Sequence, residues 1–231
     1  VGTIGYFQWM SLKTSIKSQT AGRNLRLATR ALALTFVVAC TSCVSLITPE
    51  KAPFSPDRKS ASPVGITVND QRKNVSGSLG INGNRYYGRC RFGLYGIPTP
   101  ISDPAMSTAE RVTKHLEAGF KQKGVEVRTL GAGDQAFAAT GARKVLEVTL
   151  NDDTWIDFAN PMTGNESILY FNATARVLTP SGKSIATATR KIERNFRYDT
   201  NDSAFNQALI AFQPEFNQLI NQPSIRAALA P

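Results

Sequence analysis

Leu169-Tyr-Phe-Asn-Ala-Thr-Ala-Arg-Val177, a Pro180-Ser-Gly182 turn, and a return over residues 184–198 are the stretch on which the fold turns. Leu169, Phe171, Ala173, Ala175 and Val177 recur with period two, the repeat of a strand with one buried face, and the turn makes the pair a hairpin. In the returning strand Ile185, Ile192 and Phe196 stand among Arg190, Lys191, Arg194 and Arg197, so one side of the hairpin is expected to be wet. Beyond it the period lengthens. Asp202 or Ser203 caps a helix with Phe205, Ala208, Leu209, Phe212, Phe216, Leu219 and Ile220 on one face, and Pro214 should kink or split it. Residues 224–229 close the chain.

Upstream, Ser107-Thr-Ala-Glu110 is a capping box, Val112, Leu116 and Phe120 form one helical stripe, and Gly124 stands where a left-handed residue ends a helix. Residues 125–129 read as a strand, 131–142 as an Ala/Gly-rich region with room for one short helix. Lys144-Val-Leu-Glu-Val-Thr-Leu150 reads as a strand running on through Trp155 to Phe158, and 160–165 as a turn. Val64, Ile66 and Val68 mark a half-buried strand over 64–72. Strand runs with two amphipathic helices imply an α+β two-layer sandwich, a mostly antiparallel sheet with both helices on one face.

Ala31-Leu-Ala-Leu-Thr-Phe-Val-Val-Ala-Cys40 follows a stretch with Lys13, Lys17, Arg23, Arg26 and Arg30 and no acid. A basic segment, a short apolar run and small residues before a cysteine read as a signal peptide. Val37-Val38-Ala39-Cys40 resembles the lipobox of bacterial lipoproteins, in which the cysteine thiol takes a diacylglycerol and becomes the N-terminus. Cys43 is the second choice, and an uncleaved anchor over 31–47 the rival reading. Residues 1–9 are expected to precede a true start at Met10. The expected organisation is therefore a signal peptide over 1–39, a lipidated N-terminus and flexible tether over 40–63, which holds four prolines, and a domain over 64–231.

The net charge of +10 is largely a targeting feature: without residues 1–39 it falls to about +5, too mild for a nucleic-acid footprint. Three cysteines, Cys40, Cys43 and Cys90, and one histidine, His115, give neither a disulfide framework nor a Cys/His metal set. Cys43 and Cys90 are left as a candidate bridge, against a buried free Cys90.

No G-x-S-x-G elbow, P-loop or H-E-x-x-H is present, and His115 reads as a solvated or boundary residue on the first helix. Asp152, Asp153 and Asp157 lack the spacing of a calcium loop. Asp70 and Arg72, two apart on a strand, suit a structural ion pair. One segment stands out: Asn84 to Tyr95 interleaves Arg85, Arg89 and Arg91 with Tyr86, Tyr87, Phe92 and Tyr95, which suits glycans or lipid headgroups as a binding loop. Its structural alternative is a glycine-punctuated hairpin with the rings in the core.

The lipobox, Ile66-Thr-Val-Asn-Asp70-Gln-Arg72, the capped helix ending at Gly124, 146–150, the hairpin, and a C-terminal helix followed by Pro223-Ser-Ile-Arg-Ala-Ala-Leu229 resemble the YajG family of bacterial lipoproteins. A long Gly/aromatic insertion between Lys73 and Met106 departs from its pattern. The resemblance implies an envelope location and this fold more than a chemistry. The expected function is a non-enzymatic, lipid-anchored binding or assembly module facing the periplasm, needing no cofactor, with an envelope protein, glycan or lipid as partner. Thr41, where an aspartate would retain the chain at the inner membrane, points to the outer membrane. The alternative is an accessory lipoprotein subunit of an envelope lipid or solute transporter.

Overall fold

A computed structural model describes residues 46–57, 62–73, 83–92, 97–130, 141–159, 166–197 and 202–230. Cys40, Cys43 and Tyr95, the 131–140 region and the 160–165 turn lie outside them. Residues 46–231 form a unit of their own. Its elements are β1 (Val64–Asp70), a 3-10 turn (Gly83–Arg85), β2 (Tyr86–Phe92), β3 (Ile97–Ser102), α1 (Thr108–Gln122), β4 (Val127–Thr129), β5 (Lys144–Leu150), β6 (Trp155–Phe158), β7 (Glu166–Leu178), β8 (Ser184–Arg197), α2 (Ala204–Ile220) and α3 (Pro223–Leu229).

The hairpin is the spine. β8 pairs with β7 from Glu166 to Leu178 along one edge, while the other edge is shared, β6 against Ile168–Tyr170 and β5 against Ala173–Leu178. The sheet therefore forks, with β6-β2-β3 on one limb and β5-β1-β4 on the other. Antiparallel pairing predominates, but the sheet is mixed: β1 runs parallel to β4 and β5, and β2 parallel to β6. The reason is the capped helix, which stands between β1 and β4 as a crossover and so brings the chain back in the same direction. Ser107 and Glu110 close the capping box, and Gly124 at φ 73° ends the helix region.

Where β5 passes into β6 the strand breaks at Asn151–Thr154, with Asp153 at φ 68°. Side chains replace the lost ladder. Thr154 Oγ1 donates to the Asn172 carbonyl (2.6 Å) and accepts its N–H (3.1 Å), and Asn151 Nδ2 donates to the side chains of Asn172 and Thr174. On the far side of the fork Arg72, its side chain 1% exposed, donates from Nε and Nη2 to the two Asp70 oxygens (2.7 and 2.6 Å). Its Nη1 donates to the carbonyls of Tyr86 (2.8 Å) and Thr154 (3.0 Å). One guanidinium thus joins β1 to the first residue of β2 and to the start of β6.

Leu169, Phe171, Ala173, Ala175 and Val177 are buried as the period required, in one core with Ile66, Val68, Leu146, Val148 and Leu150. Helix residues Leu116, Phe120, Leu209, Phe212, Phe216 and Ile225 belong to the same core. α2 is capped by Ser203 and runs unbroken through Pro214; in the turn before the proline, Arg194 donates to the Ala211 carbonyl. The hairpin charges divide by parity. Arg190 and Arg194 reach α2 and clamp buried Glu215 (2.6 to 2.8 Å), so they are not on the wet side; Lys191, Glu193, Asn195 and Arg197 are.

Residues 46–57 correct the expectation of a free tether. Phe54 is fully buried, stacked on Phe216 (4.6 Å) and His115 (4.9 Å), and Ala52 is buried beside it. A proline-rich composition predicted a chain without helix or strand, and residues 46–57 hold neither, turning once at Thr48–Ala52, but polar side chains of two helices hold the segment down.

Removing Arg72 leaves the largely buried Asp70 carboxylate and two buried carbonyls short of donors, a loss of up to about 3–5 kcal/mol for a broken buried pair. In chemical denaturation Arg72→Met should lower the midpoint strongly. A midpoint unchanged from the parent would show that the fork closes without the guanidinium.

Candidate functional site

The segment expected to form a binding loop is divided by the sheet. β2 begins at Tyr86, and its pairing with β3 shifts register between Tyr86 and Gly88, so Tyr87 and Arg89, two residues apart, lie on opposite sides instead of sharing a face. Tyr87 is 1% exposed and meets Phe205 edge-on at 5.0 Å, with Phe212 at 6.3 Å, so it belongs to the core; Tyr86 is buried as well. Arg85 lies exposed in the 3-10 turn. Arg89 and Arg91 point outward, and Phe92 pairs through its backbone with Ile97. The six of these residues that are described therefore do not make one loop.

Arg89 and Arg91 instead enter a surface group that sequence spacing did not assemble. Arg89 donates from Nε (3.1 Å) and Nη2 (2.7 Å) to Asp157 on the adjacent β6, and Arg91 adds a bond at 3.2 Å. The Arg89 guanidinium also lies over Trp155 at 5.0 Å, and Trp155 stacks on Tyr170 at 4.8 Å and 17°. A stacked ring covers one face of the indole, so the guanidinium takes the other. Burial pushes the Asp157 carboxyl up, but the hydrogen bonds from Arg89 and Arg91 outweigh it and hold the group below the usual carboxylate range. The same bond raises Arg89. Trp155 and Tyr170 could have been found from sequence only by knowing that they are register partners, which depends on where β6 meets β7.

Close approach fixes this group. A Cβ on Gly88 would stand 2.2 Å from the Ile156 carbonyl oxygen, so only glycine lets β2 lie against β6 here. Arg91, its side chain 49% exposed, is the most available cation of the set.

The other chemistry-bearing residues hold the fold. Asp152 accepts the Lys73 N–H (2.6 Å), Asp153 faces Lys191 at 3.9 Å and Asp157 holds the arginines, so the three carboxylates go to separate partners. Asp70, Gln71, Arg72, Lys73, Asn151, Asp152 and Asn172 line an open cleft of about 690 Å³ at the fork. His115 is fully buried rather than solvated: Nδ1 donates to the Ala52 carbonyl at 2.7 Å. Asp103 is fully buried, bonded to Arg111 Nε (2.7 Å) and to the N–H groups of Ala105 and Met106. Cys90 is buried and free, and burial pushes its thiol up to about 11.

No family profile matches the chain, and no curated protein matches it. Among solved structures, a Xanthomonas campestris protein of the DUF330 family is similar at 14% identity and a TM-score of 0.45, over 80% of this chain and 94% of that one. An uncharacterised protein is similar at 8% identity and 0.35, over 72% and 93%. A lipoprotein from Neisseria meningitidis is similar at 16% identity and 0.28, over 70% and 99%.

Two variant sets separate surface from core. Changing Arg85, Arg89 and Arg91 together to serine removes exposed ion pairs and one cation–π contact, about 1–2 kcal/mol in all, and leaves the fold intact. Tyr87→Ala empties a core site and should cost about 3–5 kcal/mol. Thermal melts check both, and a triple variant that melts as low as Tyr87→Ala would return the arginines to the framework.

Proposed function

We propose that this protein is a lipid-anchored lipoprotein of the bacterial envelope, of YajG-like build, whose domain is a non-enzymatic binding or assembly module on the periplasmic face of the outer membrane. The observation that carries the reading is the lipobox Val37-Val38-Ala39-Cys40 behind an acid-free basic segment. Thr41 supports transfer to the outer membrane. What supports a binding rather than a catalytic domain is the employment of its acids and bases: Asp70 with Arg72, Asp103 with Arg111, Glu147 with Arg176 and Glu215 with Arg190 and Arg194 are partners in ion pairs. Within this reading the three helices cover one face of the sheet as a two-layer sandwich, which the shared core of helix residues with alternate residues of β5 and β7 supports.

On the opposite face Arg89, Arg91, Trp155 and Tyr170 offer cations beside rings, the chemistry that suits an anionic glycan or headgroup. Arg85 lies apart from them in the 3-10 turn. Sedimentation with anionic vesicles or purified cell wall should fall for the triple arginine variant and weaken with salt, as contacts screened over about 8 Å do.

Acylation tests the anchor directly. Cys40→Ser should abolish incorporation of a radiolabelled fatty acid and leave the precursor uncut, while Cys43→Ser should leave both intact. Label lost only in Cys43→Ser would move the anchor three residues along, and label retained in both would remove the lipoprotein reading.

A further inference from the structure

Residues 46–57 lie across α1 and α2 without joining the sheet. Three α2 amides and that of its C-cap Asn221 hold them in order: Asn206 Oδ1 accepts the Ile47 N–H (2.8 Å), Gln213 Nε2 donates to the Pro53 carbonyl (3.0 Å), and Asn217 Oδ1 accepts the Ser55 N–H (2.8 Å). Asn221 then takes the Asp57 N–H (2.7 Å) and donates to the Ser55 carbonyl (3.0 Å). From α1, Gln122 donates to the Glu50 carbonyl, and the His115 carbonyl accepts the Phe54 N–H (2.9 Å). Each of these bonds goes to a helix, so the strand ladders are complete without the segment. One ring, Phe54, enters the core.

Two features make this contact conditional. A Cβ on Gly119 would stand 2.2 Å from the Phe54 carbonyl oxygen and 2.8 Å from Ser55 Cα, so the groove accepts the segment only because α1 has no side chain there. His115, under the segment, donates Nδ1 to Ala52, while its buried Nε2 has no partner among the described residues. Around the imidazole stand Arg111 from its own helix, Asp103 from the chain before that helix and Glu50 from the segment itself, with the Phe54 ring stacked on it and Phe216 of α2 beyond. Burial is the largest influence and opposes a second proton on the ring; with Arg111 it outweighs the Ala52 bond and the Glu50 and Asp103 carboxylates, which favour one. A proton on Nε2 would have no acceptor.

We propose that residues 46–57 are a releasable strap that sets how far the domain can stand from its lipid anchor, and that protonation of His115 releases it. The inference rests on Cys40 being the anchor. With the strap docked, the six residues from Cys40 to Leu46 span at most about 20 Å. With it released, the 24 residues from Cys40 to Val64 span up to about 80 Å. The docked domain works against the membrane surface, and the released one reaches partners well away from it.

The direction with pH follows from linkage. Above the ordinary histidine value of about 6.5 both forms are neutral and docking is at full strength; as pH falls, the released imidazole takes up a proton that the docked one resists. Between pH 7.5 and 5.5 the ratio of released to docked chain rises by up to about tenfold.

Hydrogen exchange on the full chain, corrected for the intrinsic pH dependence, reads this out segment by segment. Exchange over 46–57 should accelerate about tenfold from pH 7.5 to 5.5 while β7 stays protected. His115→Asn, which keeps a donor for Ala52 and does not titrate, should flatten the response, and Gly119→Ala should exchange fast over 46–57 at both pH values. A strap no faster at pH 5.5, or a Gly119→Ala chain in which β7 loosens together with the strap, overturns the proposal. The anchor is read separately, from the distance between a fluorophore on the β7-β8 turn and the surface of vesicles carrying the acylated protein. Gly119→Ala should lengthen it; a strap that releases in exchange with no change in that distance overturns the reach, and vesicle binding retained in Cys40→Ser overturns the anchor reading instead.

Discussion

The fold depends on filling one gap. β7 is long enough for two strands on a single edge, and at the point where β5 ends and β6 begins no ladder can serve both. Backbone groups left there would be buried and unpaired, each costing on the order of 1–3 kcal/mol. Arg72 answers with a planar set of donors that reaches Asp70, Tyr86 and Thr154 together. A lysine carries its charge on a single ammonium and could not span those positions. With that gap closed, β1 and β2 can belong to different limbs of one sheet.

The same economy runs through the other charged side chains. Glu215 ties α2 to β8 through two arginines, Asp103 ties the end of β3 to α1 through Arg111, and Glu147 meets Arg176 across β5 and β7. The pairs of Asp103 and Glu215, whose carboxylates are buried, add little net stability but are costly to break, so they select one arrangement of helices over the sheet. Asp157 differs. Its pair with Arg89 and Arg91 is partly open to water, adds at most about 1 kcal/mol, and holds the rings and cations of the outer face in place.

Local pattern made much of this legible. The capping box, the helix stripe of Val112, Leu116 and Phe120, the period-two face of β7 and the Asp70–Arg72 pair are short-range features, and each is where the sequence places it. What depends on long-range placement was not legible. Parallel pairing of β1 with β4 and β5 requires knowing that α1 is a crossover, and the division of Tyr87 from Arg89 requires knowing that β2 shifts register against β3 between Tyr86 and Gly88. Composition also misled at Pro49, Pro53 and Pro56: proline marks an extended chain, and whether that chain is free depends on Asn206, Gln213, Asn217 and Asn221, about 150 residues or more away. For the same reason His115, isolated by sequence, lies under a segment 60 residues before it.

The forked sheet has more outer edges than a simple one, and their sequences limit how a partner can engage it. Among the described strands β3 carries Pro98 and Pro100, which cannot donate to an added strand, and β4 has only three residues. β8 offers the longest edge. Its second half carries Arg190, Lys191, Arg194 and Arg197, which discourage pairing with a second copy of the same strand, and Gln222 covers the Thr189 carbonyl. An open strand edge is a template for pairing with another chain and so a liability in any sheet protein. Among the described strands these devices blunt edge-to-edge pairing, so recognition by adding a strand is disfavoured relative to contact through side chains such as those around Trp155.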